Sequence, residues 1–124
     1  MQNILVIDDE APICELLRAF LSRRDYAVTT AGCLHDAEEC LNQNSFAAVI
    51  LDILLPDGLG LDFLDQLRLR DPSVPVVIMT GIGYDEELLH EASQRGAAGF
   101  ISKLLPLDQL LMEIHRVLRF QKAN

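Results

Sequence analysis

The chain has 124 residues, half of them hydrophobic, and a formal charge of −9 with no basic run. That length supports one domain with its own core, the acidic balance opposes attraction to nucleic acid or an anionic membrane, and no apolar run reaches the roughly 18 residues of a membrane span. Cys14, Cys33 and Cys40 are odd in number and lack paired ligand spacing, so neither a disulfide framework nor a zinc site is expected. With no apolar signal core at the amino terminus, the expected location is cytoplasmic.

In chain order, residues 4–7 are continuously apolar and read as a buried strand, followed at once by the acids of "VIDDE", Asp8, Asp9 and Glu10. Ile13, Leu16, Leu17, Phe20 and Leu21 recur at three and four residues, the period of an amphipathic helix. Residues 27–30 read as a second strand and 34–41 as a weaker helix. The third strand, 47–51, runs into Asp52; Asp57-Gly58 marks a turn, and Leu61, Leu64 and Leu67 mark the next helix. A fourth strand over 74–79 runs into Thr80, and Gly81-Ile82-Gly83 marks a further turn. Residues 85–95 are helical in period and end at Gly96, a residue suited to a left-handed turn. The fifth strand, 99–101, runs into Ser102 and Lys103, and Leu107, Leu110, Leu111, Ile114, Val117 and Leu118 define the last helix.

Five alternations of strand and helix predict a parallel sheet covered on both faces by helices. In open sheets of this class ligands bind beyond the carboxyl ends of the strands, and there the chain carries Asp8, Asp9, Asp52, Thr80 and Lys103. Like charges this close raise the cost of ionising one another unless a cation or strong hydrogen bonds offset the repulsion. Clustered carboxylates suit a hard divalent cation such as Mg²⁺. A hydroxyl and an ammonium beside them suit the oxygens of a phosphoryl group, and a carboxylate is itself a competent nucleophile for phosphoryl transfer.

"VIDDE" at 6–10, "VILDILLPDGLG" at 49–60, "VIMTG" at 77–81 and "GFISK" at 99–103 stand in an order that resembles the receiver domain of two-component response regulators, over essentially all of residues 1–124. The resemblance implies a flavodoxin-like (βα)5 doubly wound parallel sheet with strand order 2-1-3-4-5, and a phosphoacceptor signalling domain that accepts a phosphoryl group on Asp52 from a histidine kinase or phosphotransfer protein. It implies Mg²⁺ as cofactor, bound directly by Asp9, through water by Asp8 and by the backbone carbonyl of Leu54, with Asp52 also among its ligands. By the same matching Thr80 is the switch hydroxyl, Lys103 the phosphoryl contact, and Phe100 the aromatic side chain that turns with Thr80. The face of the fourth helix, fifth strand and fifth helix would then be read by an output domain or a second copy, with no direct contact to nucleic acid.

Two departures from the family stand out. Lys103 is followed by Leu104-Leu105 where the family has proline, so a trans peptide is expected after it; Pro106 follows and is expected to open the last helix. Leu55 replaces a methionine, a volume-conserving change. Leu54 and Ile82, each two residues beyond a site residue, are apolar and cannot align an attacking water, so the phosphoryl group is expected to be lost slowly. A flavodoxin-type flavin binder would need a hydroxyl- and glycine-rich loop in place of "DDEAP". A phosphatase of the haloacid dehalogenase type would need an acid where Leu54 stands. A receiver serving only as an interaction module is opposed by the intact acids, Thr80 and Lys103. His35, His90 and His115 are scattered and read as surface or boundary residues.

Overall fold

The apolar stretches pair, as expected, into one parallel five-stranded sheet: β1 (Gln2–Ile7), β2 (Tyr26–Ala31), β3 (Ala48–Asp52), β4 (Val76–Thr80) and β5 (Gly99–Ser102), in spatial order β2-β1-β3-β4-β5. The computed structural model describes residues 1–81, 85–103 and 106–123, and side chains up to residue 119. Helices α1 (Ala11–Ser22), α2 (Leu34–Gln43), α3 (Gly60–Arg70), α4 (Glu86–Gln94) and α5 (Leu107–Ala123) alternate with the strands.

The period of two along each strand divides the core between the sheet's faces. Ile4, Val6, Ile50, Val77, Met79 and Ile101 pack with α1 and α5, whereas Leu5, Ile7, Val49, Leu51, Val76 and Ile78 pack with α2, α3 and α4. Because both faces are covered, the central stretches of β1, β3 and β4 are continuously apolar, with Ile4–Ile7, Val49–Leu51 and Val76–Ile78 fully buried. Each such side chain contributes about 1.5–3 kcal/mol by leaving water. The register places Leu5 beside Thr29 on one side and Val49 on the other, so β1 is central and its end meets the end of β3. Strand order reverses between β1 and β3, which opens the crevice where ligands bind in doubly wound sheets.

Several local details differ from the periodicity. On α1 the inward residues are Cys14, Leu17 and Leu21, spaced three and four apart; Leu16, expected on the apolar face, is about half exposed because it lies a hundred degrees around the helix from Leu17. Strand β4 starts at Val76 instead of residue 74, as Pro75 lacks the N–H a ladder needs. Asp52, Thr80 and Ser102 are the last residues of their strands and not the first beyond them. A small antiparallel hairpin, Leu54–Leu55 against Gly58–Leu59, stands where a simple turn is expected between β3 and α3. Gly96 closes α4 at φ 104°, as expected, and Asp85 caps its start by accepting from the N–H groups of Glu87 and Leu88. Pro106 precedes α5, its carbonyl accepting from the N–H groups of Gln109 and Leu110. The Lys103-Leu104 peptide and Ile82 lie outside the described residues.

Candidate functional site

The carboxyl ends of β1, β3, β4 and β5 bring the acids, threonine and lysine together. Asp8 leaves β1 with its N–H still in the sheet, donating to the Ala31 carbonyl at 3.0 Å. Its carboxylate is turned inward by the Glu10 N–H, which donates to Asp8 Oδ1 at 2.9 Å, and its carbonyl accepts from the Cys14 thiol at 3.2 Å. Asp52 ends β3 and Thr80 ends β4; Asp8, Asp52 and Thr80 are 1%, 6% and 5% exposed, all buried against the preference of their kind. Asp9 is exposed at the rim. Asp8, Asp9 and Asp52 each offer a carboxylate oxygen, and these atoms lie within 4.8 Å of one another.

Lys103, just past β5, reaches back over this cluster. Its N–H donates to the Thr80 carbonyl at 2.9 Å, which sets the direction of the side chain. Nζ then lies 3.0 Å from Asp52 Oδ2, 3.2 and 3.0 Å from Asp8 Oδ1 and Oδ2, and 2.9 Å from Glu10 Oε1. The ammonium is only 9% exposed, while the Glu10 side chain is 58% exposed. Burial pulls the lysine toward its neutral form, but the hydrogen bonds it donates to Glu10, Asp52 and Asp8 outweigh that and hold it above the ordinary lysine range. Asp8 is likewise held above its ordinary range, which for a carboxyl favours the neutral form: burial raises it, and the Glu10 N–H and Lys103 only partly compensate.

Asp8 Oδ2 is buried and accepts no well-aligned hydrogen bond, its contact with Lys103 being one of charge only. An inward carboxylate oxygen without a directional partner, within reach of two further carboxylates, fits a hard cation that takes oxygen ligands. The donor set suits Mg²⁺ better than zinc, which favours nitrogen and sulfur.

The other residues singled out in the sequence have separate places. Leu54 follows the site in the small hairpin, its side chain 56% exposed. Phe100 pairs with Ile78 in the β4–β5 ladder and is half-buried against the core beneath α2, α3 and α4. His35 contacts Glu39 on the exposed surface of α2, and His115 lies against the Tyr26 ring from α5. Cys14 is buried, and Cys33 and Cys40 are half-buried.

Two residues acquire roles that periodicity did not assign. Glu10 is the third partner of the lysine; its place in "VIDDE" hinted at this, but the partner stands 93 residues away. Asp57, at the tip of the hairpin after Asp52, accepts from the Leu34 N–H at 2.8 Å and the His35 N–H at 3.0 Å, capping α2 from a distant part of the chain. Cys33, the local cap position, supplies no side-chain hydrogen bond. These two backbone donors hold the Asp57 carboxyl below the ordinary carboxylate range. Such a depressed group adds stability above its unfolded pKa and loses it as pH falls through the lower folded value. Asp57→Ala is therefore expected to speed amide exchange at Leu34 and His35 near neutral pH, and the difference from the parent should vanish in acid. Unchanged exchange at those two amides would remove the cap from the account.

A doubly wound parallel sheet with buried carboxylates, threonine and lysine gathered at its switch point defines a phosphoacceptor type of signalling domain. The chain belongs to the response regulator receiver domain family, whose profile, described as "Response regulator receiver domain", matches residues 4–115. It is 32% identical over 123 residues to the response regulator protein PilR of Pseudomonas aeruginosa, a match covering 99% of this chain and 27% of PilR. Among solved structures it resembles NtrX from Brucella abortus in complex with ADP, with TM-score 0.93 and 34% identity over 98% of this chain and 28% of that one. It also resembles the beryllofluoride-activated NtrC4 receiver domain dimer, with TM-score 0.91 and 30% identity over 98% and 99%. The chain thus spans about a quarter of PilR and the whole of an isolated receiver domain. The standard function of the family is to accept a phosphoryl group. No described helix is long and apolar enough to cross a membrane.

Proposed function

We propose that residues 1–124 form a receiver whose Asp52 takes a phosphoryl group from a phosphohistidine of a histidine kinase or phosphotransfer protein in the cytoplasm. The observation that carries this reading is the buried Asp52 carboxylate, with the Lys103 ammonium 3.0 Å from Oδ2 and the acids Asp8 and Asp9 alongside. An Asp52 oxygen attacks phosphorus, the phosphorus–nitrogen bond to the donor's imidazole breaks, and the transferred group is left as an acyl phosphate. Asp9 and Asp52 would hold Mg²⁺ directly, Asp8 through water and Leu54 by its carbonyl; when bound, the metal supplies positive charge to the phosphoryl oxygens. Lys103, whose Nζ lies 3.0 Å from Asp52 Oδ2, would supply the same kind of charge.

Thr80 is the hydroxyl that would close on the new oxygens, and Phe100 the side chain that would turn as it does, shifting the population of conformers on the α4-β5-α5 face. An output domain or second copy would read that face. The chain acts as a signalling domain and not as a multi-turnover enzyme, with slow loss of the phosphoryl group because the Leu54 side chain cannot align water. Incubation with a small-molecule phosphodonor, with and without Mg²⁺, followed by intact mass tests the reading: one phosphoryl group is expected, only with metal. Labelling that is metal-independent, or absent under both conditions, would refute it.

Lys103→Ala separates two effects of the lysine. The labelling rate at saturating Mg²⁺ should fall by about tenfold or more, as for loss of a cation facing developing charge. Metal affinity should rise, because the competing ammonium is gone from Asp8 and Asp52. A variant labelled as fast as the parent would take the lysine out of the mechanism.

A further inference from the structure

Among the described residues of the polar cluster, Glu10 is the one to which the proposed chemistry gives no task. Its carboxylate is 58% exposed at the mouth of the pocket, yet its Oε1 lies 2.9 Å from a lysine that is 9% exposed. Lys103 thus spans two environments, with Asp8 and Asp52 below and Glu10 above. A cation held by Asp8, Asp9 and Asp52 would occupy the region that the ammonium now neutralises, and two positive centres a few ångströms apart repel strongly in a buried site. The lysine must then surrender at least one lower carboxylate, and Glu10 is the partner already in contact with it that is not a proposed metal ligand.

We propose that Glu10 is a positioning residue that retains Lys103 at the mouth of the pocket when a divalent cation takes over Asp8 and Asp52, so that the lysine stays poised over Asp52 instead of swinging into solvent. The inference rests on the metal-dependent reading above. In the metal-free protein Glu10 is one of three anions around the ammonium; with the cation bound it becomes the principal one. Its interaction with Lys103 is therefore stronger in the metal-bound state, and a group that favours one state shifts the equilibrium toward it.

Removal of any nearby carboxylate weakens cation binding somewhat, so a double-mutant cycle is needed to isolate the contact. Mg²⁺ titrations followed by backbone amide shifts would compare the parent, Glu10→Ala, Lys103→Ala and the double variant. The Glu10 side chain makes no cap hydrogen bond to α1, and the bond from its N–H to Asp8 survives truncation, so the fold should be retained. Glu10→Ala is expected to weaken Mg²⁺ about three- to fivefold in the parent, the range of a partly exposed ion pair, and to have much less effect when Lys103 is absent. Glu10→Gln, which keeps an acceptor oxygen within reach, should recover part of the loss. An equal loss in both backgrounds would reduce Glu10 to a bystander charge, and no loss in either would remove it altogether; each outcome overturns the proposal. Failure of the parent itself to bind Mg²⁺ would instead bring down the metal-dependent reading beneath it.

Discussion

Asp52→Asn is expected to abolish phosphoryl labelling, a loss of at least about a hundredfold, while leaving the fold in place. The amide keeps the shape of the carboxylate and an oxygen that can accept from Lys103 Nζ, which now lies 3.0 Å from Oδ2. What it lacks is the anionic nucleophile. Stability should change by about 1 kcal/mol or less, because the lysine loses a charged partner while Asp8 loses the repulsion that helps to raise its own pKa. Intact mass after incubation with phosphodonor and Mg²⁺ reads the first effect, and urea unfolding the second. A folded Asp52→Asn protein that still gains one phosphoryl mass would move the acceptor to another carboxylate, with Asp8 and Asp9 the first to be examined.

The second large effect is structural and reaches the site from behind. Gly60 is the first residue of α3, and its N–H donates to the Ile53 carbonyl at 2.7 Å, drawing the helix start against the end of β3. A Cβ at this position would stand 2.2 Å from the Asp52 carbonyl oxygen and 3.0 Å from Ile53 Cα, both backbone atoms that cannot rotate aside. Gly→Ala in a helix ordinarily stabilises by up to about 1 kcal/mol. Here the sign should reverse, with a loss of about 2–4 kcal/mol as the backbone of the proposed acceptor is pushed away. The folded fraction should also label more slowly, since Asp52 would no longer meet Lys103 in the same geometry. Gly32→Ala is the control: nothing lies within 4 Å of its Cβ, and the change should stay within about 0.5 kcal/mol. Equal urea midpoints for the two variants would contradict the close approach.

The layered fold was legible because burial of both sheet faces writes itself into the chain. Continuous apolar runs at 4–7 and 49–51 mark strands covered on both sides, and the helical period between them marks what covers them. Boundaries were less legible. Pro75 delays β4 by removing a donor, and Leu16 of α1 carries an apolar side chain that the helix turns largely outward. The hairpin at 54–59 leaves no signal in the sequence, because two-residue strands carry no periodicity.

For the site, the apolar runs and the polar residues that end them show that Asp8, Asp9, Asp52, Thr80 and Lys103 share one edge. The reason is local: a parallel strand rises through the core in one direction, and the first polar residue after an apolar run marks where it leaves. Tertiary structure alone decided which of these groups touch. The meeting of Lys103 with Asp8, Glu10 and Asp52, and the capping of α2 by Asp57, join residues 95, 93, 51 and 23 positions apart. Such contacts depend on sheet order and loop path, because hydrogen bonds and ion pairs act over about 3 Å and are set only once the core has brought distant strand ends together.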